Sequence, residues 1–125
     1  MVAAILPRTI NHKKQAQHNY DLLNKIDKNT FKDWAITIAF YMALHYVSAH
    51  AIQQGWDLQP HPKDQFSPHQ KRIRYVKKYL PTKFTKYKRL FDECINARYD
   101  PLYFSKFSGD VERLINIAFE FKSIV

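Results

Sequence analysis

DWAITIAFYMALHYVSAHAIQQG, Asp33 to Gly55, is the stretch whose reading decides the fold. It is almost wholly apolar, yet Thr37, Tyr41 and His45 follow Asp33 at intervals of four, and Ser48 comes three later. Side chains three and four apart share one face of a helix, so these groups form a narrow polar line. Ile38, Met42, Leu44 and Ile52 cover the adjoining faces. Thr30, followed by an acid at Asp33, predicts the N-cap, and Gly55 predicts the stop. This helix is the expected centre of the fold. Its polar line either satisfies itself and nearby helix carbonyls, as buried polar groups must, or lines a working cleft.

Working outward, Pro7 is expected to close a short lead-in before a first helix from about Asn11, with Ala16, Tyr20, Leu23 and Ile26 as its apolar face. Downstream, QPHPKDQFSP breaks the periodicity with three prolines. Ser67, Pro68 and Gln70 then supply an N-cap, a first-position proline and a capping-box partner for a third helix through about Tyr79, with Ile73, Val76 and Leu80 facing inward. Pro81 interrupts it. A fourth helix is predicted over about Lys83–Tyr99, carrying Phe84, Tyr87, Phe91, Cys94 and Arg98 on one side, and Asp100-Pro101 ends it. After an aromatic segment, Ser108 is the expected cap of a final helix using Val111, Leu114, Ile115, Ala118 and Phe121. The reading is all-α, an antiparallel four-helix bundle with an additional short helix or helical turn, as a single domain over 1–125.

Composition agrees with that class. The 125 residues suit one core, and 46% hydrophobic residues with only two glycines point to a globular helical chain. The lone Cys94 forms no internal disulfide, which favours a cytoplasmic protein. The first eight residues are too short for a signal peptide, and two histidines interrupt the Trp34–Ile52 run, so no membrane span is expected. The net charge of +9 is localised. Residues 63–91 carry ten Lys/Arg against the single Asp64, whereas the flanking segments cancel. A field of that kind favours RNA or another polyanion, or the acidic face of a protein partner.

Several residues are candidates for chemistry. Arg98 continues the Phe91 and Cys94 face, and its planar fork suits phosphate or, equally, an ion pair with Asp33 or Asp100. With Tyr41 and His45 it makes the candidate catalytic set, His45 moving a proton while Arg98 stabilises charge. His69 and Arg72, one turn apart at the start of the third helix, are placed to bind an anion. Lys71, Arg74, Lys77, Lys78 and Lys86 complete the candidate nucleic-acid contacts, interleaved with Tyr75, Tyr79, Phe84 and Tyr87. Either those rings stack on bases, or they pack inward while the long cations reach outward. The histidine spacings suit no zinc site, so no metal and no cofactor are expected.

Three stretches together, DWAITIAFYMALHYVSAHA (33–51), FSPHQKRIRYV (66–76) and YKRLFDECINARYD (87–100), resemble the HEPN superfamily of small helical bundles. The resemblance runs from about Asn11 to Phe121. It implies a metal-independent endoribonuclease, of the kind found in dimerising toxin or defence components, or a member that has lost cleavage and serves in binding or assembly. The family motif pairs an arginine and a polar residue with a histidine after four to six intervening positions. Arg98 matches the arginine. Tyr99 follows it, however, and Tyr103, Phe104 and Ser105 occupy the histidine window. The expectation is an RNA-associated HEPN-like protein whose catalytic form cleaves RNA by attack of a ribose 2′-hydroxyl. A non-catalytic nucleic-acid or nucleotide-binding module and a helical adaptor in a protein complex are the competing classes, and a homodimer fits because symmetry can place two copies of a weak site across one cleft.

Overall fold

Every regular element among the described residues is helical. The computed structural model describes residues 2–56 and 58–125, with side chains from residue 7 onward. Six α-helices run in order: α1 (Val2–Leu23), α2 (Lys32–Gln53), α3 (Pro68–Tyr79), α4 (Phe84–Tyr99), α5 (Tyr103–Lys106) and α6 (Val111–Phe119). Short 3-10 turns occupy Pro81–Lys83 and Glu120–Ile124.

The apolar run forms α2, and α2 touches α1, α3, α4, α5, α6 and the terminal 3-10 turn. It is long and apolar enough to cross a membrane by length and composition, yet 72% of its most apolar window is buried against these neighbours. Ala35, Ala39, Ala43, Ala49 and Ala51 are fully covered, so small side chains let the surrounding helices approach closely. The largest buried rings, Phe40, Tyr46, Tyr87 and Phe121, fill the space between them. These four rings belong to one continuous apolar cluster.

Three expected boundaries shift, each for a local reason. α1 begins at Val2 and carries Pro7 within it, rather than beginning near Asn11. Pro7 stands close to the helix start, where its missing N–H costs only one intrahelical bond. Met1 lies outside the described residues. Thr30 does not cap α2, because its hydroxyl and backbone N–H both donate to the Asp27 carboxylate, at 2.8 and 3.1 Å. The cap position falls to Phe31, without a side-chain bond. At the last helix Asp110 takes the capping role expected of Ser108, accepting from the Arg113 N–H at 3.1 Å.

Other signals hold as read. Ser67 and Gln70 form a reciprocal capping box at the start of α3, with Pro68 inside it. At the end of α2, Gly55 has φ +83°, and the Gly55 and Trp56 N–H groups donate back to the carbonyls of Ile52 and Ala51. This left-handed termination favours glycine because a Cβ there is strained. Nothing lies within 4 Å of where that Cβ would stand, so the strain is purely in the backbone. Gly55→Ala is expected to cost about 1–2 kcal/mol, read as a lower denaturant midpoint at unchanged m.

Candidate functional site: an imidazole and arginine cluster

The polar line of α2 divides along its length. Thr37 is satisfied locally, its hydroxyl donating to the Asp33 carbonyl at 2.8 Å. Tyr41 and His45 instead reach other helices. The Tyr41 hydroxyl accepts from Arg98 of α4 at 3.3 Å, and His45 Nδ1 meets His12 Nδ1 of α1 at 2.9 Å. The turn at residues 24–31 folds α1 back along α2, which brings two histidines 33 positions apart into contact.

α3 closes the cluster from a third side. His69 packs among Phe40, Phe91 and Tyr41, at ring separations of 5.9, 5.6 and 6.3 Å. Arg72 reaches the His69 Nδ1 at 3.4 Å. The start of α3 is held by its capping box and by Lys71, whose ammonium binds the Asp64 carboxylate at 2.5 Å and the Gln59 carbonyl at 2.8 Å.

The cluster therefore gathers His12, His45, His69, Arg72, Arg98 and Tyr41 from four helices. Among the described residues, no carboxylate pairs with any of them. Asp33 and Asp100 line a hollow of about 310 Å³ beside Arg98, yet Asp100 binds the Leu102 N–H and Lys106 instead. The expected ion pair of Arg98 with Asp33 or Asp100 is not formed. Nor does Arg98 contact His45; its partner is Tyr41, and its guanidinium also lies over the Tyr99 ring at 5.4 Å.

The electrostatics follow from that arrangement. Burial, then Arg8, then Arg72 holds His12 below the usual imidazole range. Burial, His12 and Arg72 push His45 down to about 4. Burial, Arg72 and Arg98 lower His69. Desolvation and neighbouring cations both disfavour the imidazolium, so the three rings are neutral near neutral pH. Arg72 acts on all three. Its Nε is buried without a well-aligned hydrogen bond, and the hydroxyl of fully buried Tyr87, also without one, lies beside the same guanidinium. Burial pushes that hydroxyl's pKa up, while the Arg72 charge beside it pulls the other way.

A hydrogen bond between two Nδ1 atoms has a chemical consequence. One neutral imidazole must donate there, leaving a lone pair on its Nε2; the other accepts, so its Nε2 carries the proton. The pair thus holds one base and one acid. Sequence periodicity gives no sign of His12, since its partnership depends on a tertiary contact. Spacing places Tyr87 on the inner side of α4, where it is fully buried, but gives no sign of its neighbour Arg72.

The remaining candidate contacts separate into committed and uncommitted cations. Lys71 is neutralised by Asp64, and Lys86 pairs with Glu120 at 2.7 Å. Arg74, Lys77 and Lys78 make no ion pair among the described residues. They lie over the rings of Phe66, Phe84 and Tyr79 at 4.3, 5.7 and 5.3 Å. Cys94 is buried and its thiol pushed up by that burial, against the lowering effect of Arg98 and Thr37, so it is packing rather than a nucleophile. Among the described residues no three His, Cys, Asp or Glu side chains converge as metal ligands. Comparison with protein-family models, with curated proteins and with solved structures finds no match to this chain.

Proposed function

We propose that this protein is an RNA-associated, HEPN-like helical bundle that seats a phosphate at the imidazole and arginine cluster and cleaves RNA there without a metal. One observation carries the reading: three imidazoles and two arginines gather from four helices, and among the described residues no carboxylate pairs with any of them. Arg72 is half-buried with no carboxylate paired to it among the described residues, which bears a cost that an arriving phosphate relieves. In the reaction, the basic Nε2 of the His12–His45 pair takes the ribose 2′-hydroxyl proton and that oxygen attacks phosphorus. The P–O5′ bond breaks, and the 5′-oxygen takes the Nε2 proton of the other imidazole as that ring receives the shared Nδ1 proton from the ring that took the 2′-proton, so both rings end neutral with their tautomers exchanged. Arg72 and Arg98 balance the charge that develops on the phosphate.

A specific observation supports the second reading, binding without cleavage. The window after Arg98 that holds a histidine in the family motif contains Tyr103, and its hydroxyl is committed to Glu93 at 2.6 Å. The homodimer belongs to the same proposal. Trp34, Tyr99 and Leu102 are exposed by 61, 70 and 52% at the end of the fold that carries Arg98, a suitable apolar surface for a second copy. A cytoplasmic location completes it.

The deciding experiment is incubation of purified protein with a mixed end-labelled RNA pool in EDTA. Products ending in 2′,3′-cyclic phosphate and 5′-hydroxyl, with a deoxy-substituted strand left intact, are expected. Salt-sensitive binding without products selects the binding module. Neither behaviour selects an adaptor whose basic face meets a protein.

A further inference from the structure

The face of α3 turned away from His69 and Arg72 borders a second hollow, of about 500 Å³, in the size range of small-ligand sites. Its walls include Trp56, Phe66, Arg74, Tyr75, Lys78 and Tyr79. Three of the rings form one cluster: Trp56 lies 5.3 Å from Tyr79 and 6.5 Å from Tyr75, and the two tyrosines are 5.0 Å apart. Tyr75 is buried, its hydroxyl fixed by His50 Nδ1 at 2.7 Å, so it is a rigid wall. Trp56 and Tyr79 remain 46 and 39% exposed.

We infer that this groove is a stacking subsite for an unpaired base of single-stranded RNA, with Arg74, Lys77 and Lys78 holding the flanking phosphates. The inference rests on the RNA reading above and extends it to a surface outside the imidazole cluster. Two features select this occupant. The part-exposed Trp56 and Tyr79 rings suit a base, which takes the place of the Lys78 ammonium over Tyr79, and the cations there, none ion-paired among the described residues, suit an anionic backbone. An apolar peptide leaves those cations uncompensated; an acidic one leaves the rings unused. The cations that build the groove rather than face a ligand are distinguishable, since Lys71 is consumed in pinning residues 59–64 against α3. His69 and Tyr79 are ten residues apart on α3, about 15 Å along the axis, so one strand crossing the helix meets both sites.

The test uses Trp56 as its own probe. Trp34, the other tryptophan, sits at the opposite end of α2, so Trp34→Phe leaves a single reporter in the groove. That protein is titrated with short oligoadenylate and oligouridylate, and with heparin as a polyanion lacking bases, while labelled RNA is followed in parallel by anisotropy. Saturable quenching by both oligonucleotides is expected, with heparin giving none. Tyr79→Leu should weaken binding roughly tenfold and Tyr79→Phe should preserve it. Arg113→Ala, exposed on α6, which does not touch α3, should leave the quench in place. Anisotropy binding without a Trp56 response overturns the subsite alone, and absence of any RNA binding overturns the RNA reading along with it. Equal quenching by heparin, or by an acidic peptide, overturns the base-stacking assignment and makes the groove a general anion or protein contact.

Discussion

Arg72→Gln is expected to lower the rate of RNA cleavage by about 10²–10³-fold, the loss typical of removing one preorganised charge-stabilising group, while leaving the protein at least as stable as before. The combination follows from position. Arg72 is half-buried, its Nε has no well-aligned hydrogen bond, and its charge lowers His12, His45 and His69 together. Removing a carboxylate-paired arginine leaves a buried charge behind, which is destabilising. Here no carboxylate is stranded. The substitution removes a half-buried charge that no carboxylate pairs with among the described residues, and glutamine retains much of the aliphatic stem. All three imidazoles should titrate at higher pH in the variant, which proton NMR of the ring Cε1–H signals reads directly. Arg98→Ala should share the loss of cleavage with smaller effects on the rings, because Arg98 is exposed and lowers only His69 among them. A variant that unfolds more readily while cleaving normally would make Arg72 a structural cation and remove it from the site.

The helical class is legible in the sequence because the decisive signals are local. The α2 run, the Ser67 capping box and the Gly55 stop each depend on residues within one turn of each other. The misplaced caps show where local reasoning stops. Thr30 has the chemistry of an N-cap but donates to Asp27, three positions earlier, and Ser108 yields to an aspartate two positions later. Competing partners of equal quality lie nearby, and only the path of the chain chooses between them. For the site, spacing alone places Tyr41 and His45 on one face and His69 beside Arg72. It cannot say which helices they meet. His12 is absent from any reading by periodicity because its partner lies on the far arm of a hairpin. Basic clustering likewise overstates the ligand surface, since Lys71 and Lys86 already have acidic partners whereas Arg74, Lys77 and Lys78 stand over rings.

The imidazoles also predict opposite responses to acid in the free and bound protein. In the folded chain His45 is lowered from 6.5 to about 4, and His12 and His69 are lowered with it. Between those values the unfolded chain binds more protons than the fold, so stability is fully present above pH 6.5 and declines as pH falls toward 4. A bound phosphate reverses the preference. It supplies the negative charge that Arg8, Arg72 and Arg98 do not, raises the ring pKa values and draws protons in. RNA affinity should therefore rise as pH falls from 6.5 to 5, by up to about tenfold per pH unit for each proton taken up, while the melting temperature of the free protein drops. Holding to pH 5 and above keeps most carboxylates ionised, so the imidazoles dominate the difference. His45→Asn should flatten both curves, and should also lower cleavage by about 10²–10⁴-fold if its ring moves the proton. Calorimetric binding in buffers of different ionisation enthalpy counts the protons directly. Affinity that is level across the window, with no proton uptake, places the phosphate away from His12, His45 and His69 and leaves their depressed pKa values a property of packing alone.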